Sequence, residues 1–182
     1  KTILVTGASS GIGKATAVEC SKLGAGVVIT GRDEKRLSDT FSLLQGDSHI
    51  QLVADLGKEE DLSLLVNRLP ALDGIAHIAG IVKTIPVTFL KKQDMQHLFD
   101  VNFFAPTLLT TGLLKQKKIR KPSSIVFISS IEGPLTVHRG NSVYSASKSA
   151  VQGMMRGLSV ELASKKIRVN AVLPGMTDTP II

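Results

Sequence analysis

The 182-residue chain lacks any apolar run approaching the ~20 residues that a membrane-spanning helix needs, so no membrane partner is expected. Its first residues, Lys1-Thr2-Ile3-Leu4-Val5, read as a strand rather than a signal peptide. An initiator methionine is absent, and a trimmed N-terminus is the expectation. Cysteine is nearly absent too. Cys20 alone cannot close an intramolecular disulfide, and beside Val18 and Leu23 in a helical pattern it reads as a small buried hydrophobe. A reducing, cytoplasmic setting is expected. Histidine offers no metal site, because His77 has no His, Cys or Asp partner at ligand spacing and reads as a packed strand residue. Aromatics make up only 4% and do not interleave with the densest basic run, Lys115, Lys117, Lys118, Arg120 and Lys121. That run reads as a solvated loop between a helix and a strand rather than a nucleic-acid site. Acidic residues are outnumbered 15 to 22, giving +7, and a phosphate-bearing ligand would account for part of the excess. Domain boundaries, repeats and low-complexity tracts are missing as well, and one domain spanning 1–182 is expected.

Short apolar strands alternating with helical patterns are present in abundance. Ile3-Leu4-Val5-Thr6 runs directly into Gly7-Ala8-Ser9-Ser10-Gly11-Ile12-Gly13 and then into a helix over Lys14 to Leu23. Strand, glycine-rich turn and helix open a dinucleotide-binding unit. Glycines permit positive φ and close approach of a pyrophosphate, while the helix N-terminus receives the phosphates. Ser9 and Ser10 add hydroxyl donors. A second strand, Val27 to Thr30, ends in Gly31-Arg32, where room and a planar cation suit a 2′-phosphate. NADP(H) is therefore favoured, with NAD(H) as the alternative, and Lys35 and Arg36 either assist or face water. A helix follows near Asp33 to Leu44, then a strand over Ile50 to Ala54. At its end, Asp55-Leu56 can meet an adenine amino group, and Asp55 can equally cap a helix beginning around Lys58. Asp73 to Gly80 reads as a fourth strand running into a glycine turn. Asp94 to Leu114 reads as one long helix with a kink near Asn102 and Pro106. A fifth strand, Ile125 to Ile128, ends at Ser129 and Ser130, and a sixth, Arg168 to Leu173, ends at Pro174-Gly175. The pattern implies an α/β fold with a parallel sheet covered on both faces.

Between those last strands lies a helix to about Ala163 that carries Tyr144, the chain's only tyrosine, and Lys148 one turn later on the same face. An ammonium beside a phenol can stabilise the phenolate and so turn a poor proton carrier into a useful one. A tyrosine and a lysine at this spacing equally decorate ordinary helix surfaces.

Taken together, Thr6-Gly7-Ala8-Ser9-Ser10-Gly11-Ile12-Gly13, Asp55, Ala79-Gly80, Asn102, Ser130, Tyr144-x-x-x-Lys148 and Asn170 with Pro174-Gly175 resemble a short-chain dehydrogenase/reductase of the Rossmann-fold oxidoreductases. They follow the family's order across nearly the whole chain. The resemblance implies a three-layer, doubly wound parallel sheet with strand order 3-2-1-4-5-6. It implies hydride transfer between a nicotinamide cofactor and a small-molecule carbonyl or alcohol. Tyr144 would be the acid/base, Ser130 would hold the substrate oxygen, Lys148 would hold the nicotinamide ribose and lower the tyrosine pKa, and Asn102 would anchor a relay water. Pro174, Gly175, Thr177 and Thr179 would face the nicotinamide amide. A homodimer or homotetramer is implied as well. Three departures stand out. His77-Ile78-Ala79-Gly80 replaces Asn-Asn-Ala-Gly; Ser130 is fourteen positions before Tyr144, one more than the family pattern, leaving Ser129 as an alternative; and the chain stops at Ile182, where the family continues into a lid and a seventh strand, so a C-terminally incomplete chain is expected. The alternative in another class is a catalytically silent dinucleotide-binding sensor or scaffold.

Overall fold

A computed structural model describes residues 1–180, so the last two positions of the expected 1–182 unit lie outside it. Six parallel strands form one sheet in the order β3-β2-β1-β4-β5-β6. These are β1 (Thr2–Thr6), β2 (Gly26–Gly31), β3 (Ile50–Val53), β4 (Leu72–His77), β5 (Ile119–Ile128) and β6 (Ile167–Val172). Six helices connect them: α1 (Gly11–Lys22), α2 (Glu34–Phe41), α3 (Glu59–Arg68), α4 (Lys92–Phe99), α5 (Ala105–Lys115) and α6 (Ser142–Ala163). Strand order reverses between β1 and β4, whose register pairs Ile3 with Gly74 and Val5 with Ala76. That reversal opens the ligand crevice of such sheets at the carboxyl ends of the strands.

Side chains alternate across each strand, so neighbouring residues enter different layers. Val5, Val27 and Ile29 pack with Ala17 of α1 and Leu37 of α2. Leu4, Val28, Ile75, Ile125 and Phe127 pack instead with Leu62 and Leu65 of α3, Leu109 and Leu113 of α5, and Val151 and Leu162 of α6. Helices thus cover both faces, which is why the central strands are apolar throughout.

Three expectations need correction. The helix after the glycine turn begins at Gly11 rather than Lys14. The fifth strand begins at Ile119, six residues earlier than its apolar core, and takes in Ile119, Arg120 and Lys121 of the basic run. Much of that run is structural: Arg120 donates to Asp73 at 2.9 Å, and Lys118 Nζ donates to the carbonyls of Val66 and Asn67 at the end of α3, each at 2.7 Å. Asp55 does not cap α3, whose N-cap is Lys58; its Oδ1 accepts the Gly57 N–H at 3.0 Å, while its own N–H donates to Asp61. The irregularity expected near Asn102 and Pro106 is present as a π-helical turn over Asp100–Phe104, between α4 and α5. Pro106 has no N–H to give the Asn102 carbonyl and its ring crowds that carbonyl, so the chain widens locally into the i to i+5 pattern.

Candidate active site

β1 ends at Thr6, and Gly7 turns the chain with φ 66°. A Cβ on Gly7 would lie 2.7 Å from Ala79 Cα, so only glycine lets this turn rest on the backbone after β4. Thr6 Oγ1 fastens the same junction by accepting the N–H groups of Ile78 at 2.9 Å and Ala79 at 3.1 Å. Gly13 presses α1 onto the turn: its Cβ would sit 2.1 Å from the Gly7 carbonyl oxygen. Ser10, the N-cap of α1, makes no side-chain cap bond, and the first turn holds no acidic residue. The helix's leading N–H groups and its positive dipole end therefore remain available to an anion.

The other sequence-predicted cofactor residues gather around this loop. A Cβ on Gly31 would lie 3.2 Å from Ser9 Oγ, so the bare end of β2 admits Ser9, and the exposed Arg32 follows immediately. Thr179 lies against Gly11, where a Cβ would come within 3.0 Å of its Cβ. Pro174 accepts the Ile131 N–H at 3.1 Å, Gly175 packs beside Ile131, and Thr177 Oγ1 donates to the Gly175 carbonyl at 3.1 Å. The segment after β6 thus crosses from the Ser130 side to the glycine loop. Ile12 is half-buried at the start of α1, and the Leu56 side chain belongs to the core, leaving only its backbone to a ligand. The bare glycine turn beside an uncapped helix N-terminus suits a phosphate-bearing ligand.

Past Gly80 the proton-handling groups begin. A Cβ on Gly80 would stand 3.2 Å from both Asn102 Oδ1 and Lys148 Nζ. Asn102, buried in the π-turn, accepts the Ile81 N–H at 2.9 Å and donates through Nδ2 to the Ile81 carbonyl at 3.0 Å and to Ser147 Oγ at 3.1 Å. Ser147 in turn donates to the Tyr144 carbonyl at 2.7 Å. Lys148 Nζ donates to the Ile128 carbonyl at 3.0 Å and lies 5.9 Å from the Tyr144 ring centroid. Burial pulls the Lys148 ammonium down to about 8. The Tyr144 phenol moves upward: burial raises it most, a hydrogen bond with Ser130 acts in the opposite direction, and the Glu132 charge raises it further. Lys148 Nζ is thus turned to the Ile128 carbonyl, and the upward causes outweigh the downward one at the phenol. The two candidate serines separate cleanly. Ser129 Oγ donates to the Lys148 carbonyl at 2.9 Å and accepts from Gln152 at 3.3 Å, so it docks α6, whereas Ser130 faces Tyr144.

Sequence reasoning passed over Ser147, Glu132 and the anchoring role of Thr6. Ser147 sits three residues after Tyr144 on the helix face turned toward Asn102, a signal the spacing contains; Glu132 has none in the sequence. His77 is the packed residue that was expected. It is buried, stacks on Phe127 at 4.7 Å, shares a hydrogen bond with Thr110 Oγ1 at 2.8 Å, and is held neutral by burial, its pKa near 3. No group of three or more metal-ligating side chains occurs among the described residues. Among the same residues no helix is long and apolar enough to cross a membrane.

Comparison with known proteins agrees with this fold. The short chain dehydrogenase family model matches residues 1–182. A 3-oxoacyl-[acyl-carrier-protein] reductase FabG of Rickettsia felis is 36% identical over 98% of this chain and 75% of its own length. An oxidoreductase of Staphylococcus saprophyticus is 32% identical over 100% of this chain and 80% of its own. Among solved structures, an actinorhodin polyketide ketoreductase variant with NADPH superposes with a TM-score of 0.90 at 29% identity, covering 100% of this chain and 72% of that one. A short chain dehydrogenase from Escherichia coli CFT073 complexed with NADPH gives 0.86 at 34% identity, covering 96% and 76%. Sheet order, glycine loop and these matches over essentially its whole length lead to one assignment: the chain belongs to the short-chain dehydrogenase family of oxidoreductases.

Proposed function

We propose that the chain is an NADP(H)-dependent oxidoreductase that interconverts a carbonyl and a secondary alcohol, with Tyr144 as the acid/base. The observation that carries this reading is the convergence of Ser130, Tyr144 and Lys148 at the carboxyl edge of the sheet, beside a glycine loop and an uncapped helix N-terminus. A bound nicotinamide dinucleotide would supply or accept the hydride. Its phosphates would lie on the N–H groups of the Gly7 to Gly13 loop with Ser9 and Ser10. Its 2′-phosphate would meet Arg32, and its nicotinamide end Ala79, Gly80, Pro174, Gly175, Thr177 and Thr179. Asp55 and the Leu56 backbone would take the adenine.

The chain's own groups divide the remaining work. Ser130 holds the substrate oxygen and stabilises charge developing there. The Tyr144 phenol, kept protonated by its surroundings, gives its proton to that oxygen in the reductive direction and removes it in the other. Lys148 holds ribose hydroxyls and, once close to the phenol, steadies the phenolate. The Asn102 carbonyl, released from its helical partner by Pro106, accepts a water that passes protons from Lys148 outward. The similarity to a 3-oxoacyl-[acyl-carrier-protein] reductase and to a polyketide ketoreductase makes 3-oxoacyl and polyketide ketones the first carbonyls to try.

Following the reduced-nicotinamide absorbance with these ketones and simple secondary alcohols tests the reaction. Tyr144→Phe is expected to lower kcat by roughly 10²–10⁴-fold while leaving dinucleotide affinity unchanged. Full turnover in that variant would refute the mechanism. Competitive titration with NADP⁺ and NAD⁺ tests the cofactor: Arg32→Ala should erase most of the preference for the phosphorylated form, and unchanged relative affinities would refute the role given to Arg32.

A further inference from the structure

The segment joining β5 to α6 contains one shielded carboxylate that the reaction above does not use. Glu132, with 13% of its side chain exposed, follows Ser130 by two residues, and its N–H donates to Ser130 Oγ at 3.1 Å. Its carboxylate accepts from Asn141 Nδ2 at 3.0 Å and pairs with His138 Nδ1. Asn141 immediately precedes α6, and its carbonyl accepts the Ser145 N–H at 2.8 Å. The same Asn141 accepts from Thr84 Oγ1 at 2.8 Å, and the neighbouring Gly140 carbonyl accepts the Ile85 N–H at 2.8 Å. Gly133, with φ 115°, lies so close to α6 that a Cβ would fall 2.6 Å from the Ser145 carbonyl. From this one residue, therefore, connections run through its N–H to Ser130, and through its carboxylate and Asn141 to the start of the tyrosine helix and to the chain after β4.

We propose that Glu132 is a positioning residue of this site: it latches the 131–141 segment to the start of α6 so that the Ser130 and Tyr144 hydroxyls meet one substrate oxygen. This deepens the proposed function, on which only its kinetic arm depends. The groups facing these residues act consistently. Glu132 meets His138 and Asn141; Tyr144 meets Ser130 from the end of β5, Lys148 from its own helix and Glu132 from the segment between them. A negative charge near a phenol disfavours the phenolate, in agreement with the upward shift. Lys148, already down at about 8, is largely neutral where such a phenol ionises, so Glu132 is the nearby charge that remains.

One tyrosine and no tryptophan make the experiment direct, because the near-ultraviolet tyrosinate band reports Tyr144 alone. Spectrophotometric pH titration of the protein without substrate should show Glu132→Gln ionising at lower pH than wild type, and Glu132→Asp, which keeps the charge, staying near wild type. A Glu132→Gln midpoint coinciding with wild type overturns the electrostatic role. In turnover, Glu132→Ala is expected to lose roughly 10- to 100-fold in kcat through misplaced hydroxyls, with dinucleotide affinity retained and part of the loss recovered in Glu132→Gln, whose amide oxygen still accepts from Asn141. Wild-type kcat in Glu132→Ala overturns the positioning role. Should Glu132→Ala not fold, the isosteric Glu132→Gln titration still decides. The titration needs no substrate, so a shifted midpoint with no turnover on any carbonyl would count against the reaction and leave the electrostatic role of Glu132 standing.

Discussion

Lys148 is an ammonium buried almost completely, with the Ile128 carbonyl as its hydrogen-bond acceptor. A lysine so placed weakens the fold before any ligand arrives. Its pKa, about 8 when folded against 10.5 when exposed, fixes the sign. The folded state binds fewer protons than the unfolded chain between these values, so this residue's contribution to stability falls as pH drops from 10.5 to 8 and stays low below. Lys148→Met should therefore raise the unliganded protein's stability at neutral pH, by on the order of 1–3 kcal/mol, while cutting turnover at least ~10²-fold. Urea unfolding near pH 7, set beside steady-state rates, checks both halves; a variant less stable than wild type would mean that the Ile128 contact outweighs the burial of charge. The same logic explains why the tyrosine's tuning could not be read from spacing. A four-residue offset correctly put both groups on one side of α6, but burial of the phenol and the charge of Glu132 depend on β5 and the loop after it, and those reverse the expected direction of the shift.

At the scale of elements, the glycine turn and the π-turn are the two irregularities on which the site rests, and the sequence announced both. Gly7, Gly11 and Gly13 implied a close approach, and Pro106 one turn after Asn102 implied a break in the helix. Strand order was legible through the resemblance, and the apolar runs located every strand. What could not be read was where β5 starts, because Arg120 and Lys121 look like loop until Arg120 is seen pairing with Asp73 across the strands. Nor could the true office of Asp55 be read, since a carboxylate turned to Gly57 and one capping a helix share the same local sequence. The glycine turn makes a sharp prediction. Gly13→Ala drives a methyl to within 2.1 Å of the Gly7 carbonyl oxygen, which only backbone movement can relieve. It should cost about 1–3 kcal/mol or more and weaken dinucleotide binding by at least ~10-fold. Gly24→Ala is the control: nothing lies within 4 Å of its Cβ, and only the φ of 78° is unfavourable. That variant should lose about 1 kcal/mol and bind the dinucleotide as wild type does, as isothermal titration with NADP⁺ would show.

For the whole molecule, stability against acid should hinge on a single ring at the centre of the sheet. His77 joins three elements: it ends β4, stacks on Phe127 of β5 and bonds to Thr110 of α5. None of these neighbours is a carboxylate that could receive a protonated imidazole, and burial alone holds the ring's pKa near 3. In the unfolded chain the same ring has the ordinary value of 6.5. Between the two values the unfolded state binds the extra proton, so the contribution of His77 is complete above 6.5 and is lost progressively as pH falls toward 3. From about pH 7 to about pH 5 this amounts to roughly 2 kcal/mol, a large fraction of a typical folding free energy. The carboxylates with lowered pKa values, Asp73 and Asp94, add their losses mainly below that window, which leaves the histidine to dominate it. His77→Gln keeps a hydrogen-bonding group toward Thr110 and cannot take up the proton. It should be less stable than wild type near pH 7, because it forfeits the stacked ring, yet its urea midpoint should change little on going to about pH 5. Parallel pH dependences in the two proteins would show that acid unfolds this fold through some other group.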